Sequence, residues 1–283
     1  MTILVFGQNG QVATELAAFA DTVCVGRDRA DLSDPAACAA LIMDMKPRAV
    51  INAAAYTAVD KAEEEEPLAT TVNGEAPGAM AQTCAALGIP FVHISTDYVF
   101  DGSGTAPWQT DDATGPLGAY GRSKLVGENA VRASGATHAI LRTSWVVSAH
   151  GNNFVKTMLR LGAARDTLTI VADQIGGPTA ARAIAAACHD MAHQLVDAPE
   201  KAGTYHFAGT PDCSWADFAR AIFDAANLSC AVTDIPSSDY PTPAARPANS
   251  RLDCSSLEQT FGIPRPDWRA DLRDILKDLD QST

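Results

Sequence analysis

The chain has 283 residues, 47% apolar and 19% charged, which excludes a disordered or low-complexity polypeptide and allows a sizeable core. Asp and Glu outnumber Lys and Arg by 34 to 21, a formal charge of −13 that argues against a nucleic-acid partner. No apolar run reaches the roughly 20 residues of a membrane helix, so no membrane partner is expected.

The first residues, from Met1 on, carry no basic leader or cleavage site. They are expected to form a buried strand at 3–6, at the start of a mature cytoplasmic protein. Further short apolar runs at 23–25, 50–52, 91–94 and 139–141 predict strands. Ala-rich stretches of helical spacing lie between them, at 11–20, 34–45, 67–87 and 119–134. This alternation predicts an α/β fold, a Rossmann-like doubly wound parallel sheet covered on both faces. The second half is less regular. It predicts a helix over 152–163, a strand at 168–171, and a helix over 179–196 with Pro178 at its start. A strand at 205–207 comes next, then a helix over 214–227 that Ser214 caps with Asp217 three residues on. The Pro-, Ser- and Ala-rich segment 236–250 reads as an ordered loop, and a last helix as 267–279. These elements suggest an NAD(P)-binding Rossmann domain over 1–147, completed by about 168–200. The parts at about 148–167 and 201–283 are expected to build a smaller C-terminal α/β substrate domain. Seven scattered cysteines without a Cys-x-x-Cys pair are expected as reduced thiols of a cytosolic protein.

Gly7-Gln8-Asn9-Gly10-Gln11-Val12-Ala13 leaves the first strand and opens the first helix. Gly7 suits the tight turn, and Gly10 lets a pyrophosphate approach the helix N-terminus. Ala13 stands at the usual third glycine and is still small enough for close packing. About 20 residues on, where NAD enzymes carry an acid, lies Arg27, a cation suited to the 2′-phosphate of NADP. Asp28 beside it keeps NAD open. Tyr120-Gly121-Arg122-Ser123-Lys124 sets a phenol and an ammonium on one helix face, where the cation is expected to lower the phenol's pKa. Ser95-Thr96-Asp97-Tyr98 ends the fourth strand at the same carboxyl edge of the sheet.

The glycine turn, Thr96 and the Tyr120/Lys124 pair resemble the extended short-chain dehydrogenase/reductase family. Longer strings resemble its dTDP-4-dehydrorhamnose reductase branch. They are 50–63 with Asn52-Ala53-Ala54-Ala55-Tyr56-Thr57, 95–102, Arg142-Thr143-Ser144-Trp145, Asp173-Gln174-Ile175-Gly176-Gly177-Pro178-Thr179, and 246–252. The resemblance runs to about residue 265. It implies reduction of the 4-keto group of dTDP-4-dehydro-L-rhamnose to dTDP-L-rhamnose, in dTDP-rhamnose biosynthesis, by NADPH, with NADH also open. On that resemblance Tyr120 donates the proton, Lys124 holds the nicotinamide ribose, and Thr96 bonds the substrate oxygen. Asp97 binds sugar hydroxyls and Trp145 packs on the sugar. Gly10, Gln11 and Val12 contact the pyrophosphate. Asp31 and Leu32 flank the adenine, and Ala55, Tyr56 and Thr57 line the nicotinamide ribose.

Arg246 and Arg251 suit either the substrate diphosphate or salt bridges. Some members of the family dimerise through Mg²⁺ held by glutamates. Glu15 matches one such position, but Arg182 stands at the other, so no metal is expected, and the chain is expected as a monomer or weak homodimer. His189 and His193, at i and i+4, mimic a zinc-protease helix without a third ligand nearby in sequence, and read as a polar helix face. The run Glu63–Glu66 reads as a solvated helix start. Two competing readings remain: a reductase or epimerase of another nucleotide 4-keto-6-deoxysugar, and a non-catalytic regulatory homologue. Intact Tyr120, Lys124 and Thr96 favour catalysis over the latter.

Overall fold

The computed structural model describes residues 2–281; Met1, the first residue of the expected N-terminal segment, lies outside them. Strands β1 (Ile3–Phe6), β2 (Thr22–Val25), β3 (Ala49–Asn52), β4 (Phe91–Thr96) and β5 (His138–Thr143) follow the apolar runs. Together with β10 (Gly203–His206) they form a parallel six-stranded sheet of order β10-β5-β4-β3-β1-β2. The chain winds from β1 to β2 on one side and from β3 outward on the other, so the order reverses beside β1, where such sheets bind ligands.

The period-two alternation of β1 explains its two faces. Ile3 and Val5 pack with α1 (Gln11–Leu16), α7 (Ala181–Asp197) and α9 (Ser255–Phe261). Leu4 and Phe6 pack with α2 (Pro35–Met45), α4 (Ala76–Leu87) and α5 (Ala119–Ala133). The expected helix over 67–87 is interrupted. A first turn, α3 (Glu66–Thr70), passes into a π-helical turn at Thr71–Glu75 before α4. The π turn lets α5 approach closely: a Cβ on Gly127 would lie 2.1 Å from the Asn73 carbonyl oxygen. The first helix stops at Leu16, short of 20, because the Thr22 hydroxyl donates to the Leu16 and Phe19 carbonyls and turns the chain into β2.

A second lobe has its own core, with Phe218, Ile222, Phe223 and Trp268 at its centre. It comprises α6 (Phe154–Gly162), β7 (Thr167–Val171), α8 (Trp215–Ala225), β12 (Ala231–Ile235) and α10 (Trp268–Gln281). Ser214 and Asp217 form the expected capping box on α8. Short pairs connect the lobes. These are β6 (Val146–Val147) with β9 (Thr179–Ala180), and β8 (Ile175–Gly176) between β11 (Cys213–Ser214) and β13 (Asn249–Ser250). Several elements depart from expectation. Gly203–His206 lies in the main sheet, while β7 pairs with β12 outside it. Pro178 does not start α7, because Thr179-Ala180 is first drawn into β9, where Thr179 N–H donates to the Trp145 carbonyl. Strand β12 and helix α9 were not anticipated, and 249–250 of the expected loop form β13.

Candidate active site

The carboxyl ends of β1 to β5 and the loops beyond them enclose a cleft of about 960 Å³. Gly7 sits at φ +123°, and a Cβ there would press to 3.1 Å from the Ala13 Cβ and 3.3 Å from the Ala53 carbonyl carbon. Only glycine takes that turn without strain, and only a small residue fits opposite it. Gly10 caps α1 with no side chain closing the helix end. Gln11 and Val12 line the cleft, and Gln11 also joins the lobes: its Oε1 accepts from Ser148 Oγ at 2.8 Å and Asn153 Nδ2 at 3.0 Å. Arg27 lies exposed at the rim. Asp31 accepts from Ser33 N–H at 2.9 Å, a bond that holds its carboxyl below the usual range, and Leu32 is buried beside it. Ala55 and Thr57 line the same wall. The Tyr56 side chain turns away from the cleft. Its phenol donates to Glu65 Oε2 at 2.8 Å, and its backbone N–H and carbonyl are both held by the Asn73 side chain.

Thr96, Asp97, Tyr120 and Lys124 all line this cleft. Thr96 ends β4; its hydroxyl caps the following turn by accepting from Tyr98 N–H and donates to Asp97 Oδ1 at 3.1 Å. Tyr120 packs edge-on against Tyr98, with ring centroids 5.6 Å apart. Burial, with the Asp97 charge adding to it, pushes the Tyr120 phenol up to about 12, against the opposing pull of the nearby Thr96 hydroxyl. The lowering expected from Lys124 is not seen, because the lysine is engaged elsewhere. Its Nζ donates to the Ile94 carbonyl at 2.7 Å and lies 3.3 Å from His93 Nε2. Asn52 Oδ1 accepts from Ala54 N–H, so its Nδ2 faces His93 Nδ1 at 3.2 Å. His93 Nδ1 is therefore placed to accept from the Asn52 amide. Burial brings Lys124 down to about 8 and holds His93 well below its ordinary value, with the lysine's charge adding to the latter.

Glu128, one turn beyond Lys124, is fully buried and accepts from Ser95 Oγ at 2.6 Å and from Arg142 Nε and Nη2 at 2.9 and 2.8 Å. It pins β4, α5 and β5 around the reacting groups. Glu63 of the acidic run is not merely solvated. Its Oε1 accepts from Ala119 N–H at 2.8 Å and caps α5 from a distance, while Glu66 holds Arg122 through two bonds. Trp145 has φ +49° and lies face to face with Trp215, centroids 3.6 Å apart. It lines the cleft, at a backbone conformation that a bulky residue takes only when packing holds it there. Arg246 donates to Asp60 Oδ1 at 2.8 Å and is paired with that acid, Arg251 donates to the neutral Asn249 Oδ1 at 2.9 Å, and neither lines the cleft. Two buried oxygens at the cleft, Asp97 Oδ2 and Thr143 Oγ1, have no hydrogen-bond partner among the described residues. Sequence reasoning missed Thr143, His93, Glu128 and Trp215. Thr143 lies in a string already quoted, and its place at the end of β5 was the available signal.

Burial raises the Asp97 carboxyl from 3.8 to about 6. Between those values the folded state holds a proton that the unfolded chain has released. Stability therefore falls as pH rises through this window, and the deficit persists above it. Asp97→Asn removes a penalty of up to about 3 kcal/mol. Denaturant melts at a series of pH values are expected to show the variant more stable than the parent at pH 7, with the gain vanishing near pH 3.5. A gain equal at both ends would contradict this assignment.

Comparison with known proteins gives a consistent answer. A family model described as the RmlD substrate binding domain matches residues 1–281. A dTDP-4-dehydrorhamnose reductase of Sinorhizobium fredii is 44% identical over 98% of this chain and 97% of its own. The crystal structure of a dTDP-4-dehydrorhamnose reductase from Clostridium acetobutylicum superposes with a TM-score of 0.91 at 36% identity, covering 99% of this chain and 100% of that one. That of a dTDP-4-dehydrorhamnose reductase from Bacillus anthracis, in complex with NADP, gives 0.90 at 32% identity, with 98% and 100% covered.

Proposed function

The chain belongs to the RmlD substrate binding domain family, and from that premise we propose that it is an NADPH-dependent oxidoreductase reducing the 4-keto group of dTDP-4-dehydro-L-rhamnose to dTDP-L-rhamnose. The observation that carries the reading is the convergence of Thr96, Tyr120 and Lys124 on the cleft that the glycine turn also opens into. The residues present fit a nicotinamide dinucleotide. Gly7 and Gly10 leave the start of α1 open to the cleft, Arg27 offers a cation at the rim, and the Thr143 hydroxyl is buried there without a partner. Bound NADPH supplies a hydride to the carbonyl carbon.

The chain's own residues supply the rest. A phenol raised to about 12 keeps its proton at neutral pH, so Tyr120 can give it to the carbonyl oxygen as negative charge develops there. Thr96, lining the cleft beside Tyr120, offers a hydrogen bond to the same oxygen. Lys124 and the adjacent ribose-side wall, Ala55 and Thr57, hold the cofactor. Asp97 accepts from sugar hydroxyls, and Trp145, backed by Trp215, offers an aromatic wall to the deoxysugar's apolar face. In this reading the second lobe carries the substrate side and the six-stranded sheet the dinucleotide.

A Mg²⁺-linked dimer is not part of the proposal. The Arg182 guanidinium lies 3.3 Å from Glu15 Oε2 and 2.6 Å from Asp278 Oδ2, with Asp271 and Asp274 beside it, and sets a fixed positive charge among the carboxylates a divalent cation would need. A monomer or weak homodimer is the state proposed. A cytoplasmic location is supported by seven free cysteines. No helix of the described residues is long and apolar enough to cross a membrane. The test is to follow nicotinamide absorbance with purified protein, NADPH or NADH, and dTDP-4-dehydro-L-rhamnose, beside 4-keto-6-deoxysugars on other bases. Turnover fastest with the dTDP-rhamnose precursor is expected. Folded protein that oxidises neither cofactor with it would overturn the reading.

A further inference from the structure

At the opposite end of the sheet from the cleft, the fold supplies the third ligand that the sequence spacing lacked. Asp21 stands in the turn between α1 and β2. Its carbonyl accepts from Ile3 N–H at 2.8 Å, which fixes the turn to the start of β1. Its carboxylate reaches the face of α7 that carries both histidines. Asp21 Oδ1 lies 2.8 Å from His189 Nε2, and Oδ2 lies 2.9 Å from His193 Nε2. One ligand atom from each of the three residues can be chosen so that all lie within 4.8 Å of one another. The scaffold is rigid. The histidines sit on a 17-residue helix, the His189 ring stacks on Phe19 at 4.1 Å, and the Thr22 hydroxyl ties down the turn beside Asp21. The three side chains are partly exposed, 19%, 38% and 27% for His189, His193 and Asp21, so an ion can reach them from solvent.

We propose that Asp21, His189 and His193 form a binding site for a divalent cation of the zinc class, Zn²⁺, Co²⁺ or Ni²⁺. Two imidazoles and one carboxylate suit borderline transition metals, whereas Mg²⁺ and Ca²⁺ take oxygen ligands almost exclusively. Three protein ligands with open positions are a common arrangement for zinc. Ligand bonds of about 2.0–2.1 Å at tetrahedral angles separate ligand atoms by roughly 3.4 Å. The present 2.8 and 2.9 Å hydrogen bonds therefore have to open by about half an ångström, within the reach of side-chain rotation alone. Each imidazole then binds through Nε2 with its remaining proton on Nδ1, and the ion replaces the two hydrogen bonds to the carboxylate. The site staples α7 to the α1–β2 turn. It touches neither Tyr120 nor the cleft, so it stands or falls independently of the proposed reductase activity.

The test uses the full chain without a histidine tag, stripped with chelator. Co²⁺ titration is followed by its visible absorption, and Zn²⁺ titration by calorimetry. One ion per chain is expected, with tetrahedral cobalt bands, a rise in Tm on saturation, and affinity reduced at least tenfold by His193→Ala. The pair His189→Ala with His193→Ala should abolish binding while NADPH oxidation is kept. Asp21→Asn, which preserves hydrogen bonding to the imidazoles, covers the case in which the double variant fails to fold. It is expected to weaken binding while leaving the fold intact. No saturable uptake by the folded parent would overturn the proposal, as would uptake unchanged in these variants.

Discussion

Tyr120→Phe is expected to lower kcat by about 10²- to 10⁴-fold, the usual contribution of a positioned proton donor, while NADPH binds within a few-fold of the parent value. The reason lies in what the substitution removes. The ring keeps its edge contact with Tyr98, and the start of α5 keeps its cap from Glu63. Only the hydroxyl is lost. Cofactor titration by fluorescence and steady-state kinetics on the same preparation separate the two effects. A variant that retains more than about a tenth of the parent kcat would place the proton donor elsewhere.

The largest effect on stability is expected from Glu128→Ala. This carboxylate is inaccessible to solvent and holds Ser95, Arg132 and Arg142, and Arg142 is itself buried. Burial opposes its charge, yet the bonds from Arg142 prevail and hold its carboxyl below the usual range. Removing it strands the Arg142 guanidinium with the Thr110 carbonyl and the neutral side of His206, at a cost of about 3–5 kcal/mol. The sign with pH follows from the lowered value. The stabilisation is full above the unfolded carboxyl's 4.5 and fades as pH falls below it. Urea melts should therefore show the variant far less stable at pH 7, with the gap narrowing in acid. A loss under about 1 kcal/mol at pH 7 would contradict the ion-pair assignment.

Much of this architecture was legible because it rests on local rules. The sequence runs marked all six sheet strands, though not that the one at 205–207 joins the main sheet, and the turn after β1 showed its purpose through Gly7 and Ala13. Ser214 and Asp217 announced α8. What escaped the sequence depends on distant partners. The π turn at Thr71–Glu75 is matched to a distant helix, since Gly127 of α5 packs on the Asn73 carbonyl. Thr179 extends β6's pairing rather than starting a helix because Trp145 offers a carbonyl. Strand β12 buries none of its residues and carries Thr233-Asp234 in its middle, so its periodicity is weak. The site shows the same division. The spacing of Tyr120 and Lys124 was readable, but their ionisation was not. Lys124 turned to Ile94 and His93, so burial raised the phenol that a nearby cation was expected to lower. Tyr56 was carried over by resemblance, and its side chain belongs to Glu65 instead. Asp21 lies 168 residues from His189, a distance no spacing rule spans.

The central claim is that this cleft moves a hydride onto the C4 carbon of a dTDP-linked 4-keto sugar. NADPH deuterated at the transferring position of its nicotinamide, supplied with dTDP-4-dehydro-L-rhamnose, tests it most directly through the NMR spectrum of the product. The account predicts dTDP-L-rhamnose carrying one deuterium, at C4, formed at a rate that collapses in Tyr120→Phe. Product without deuterium at C4, or cofactor left unoxidised by folded protein, would contradict it.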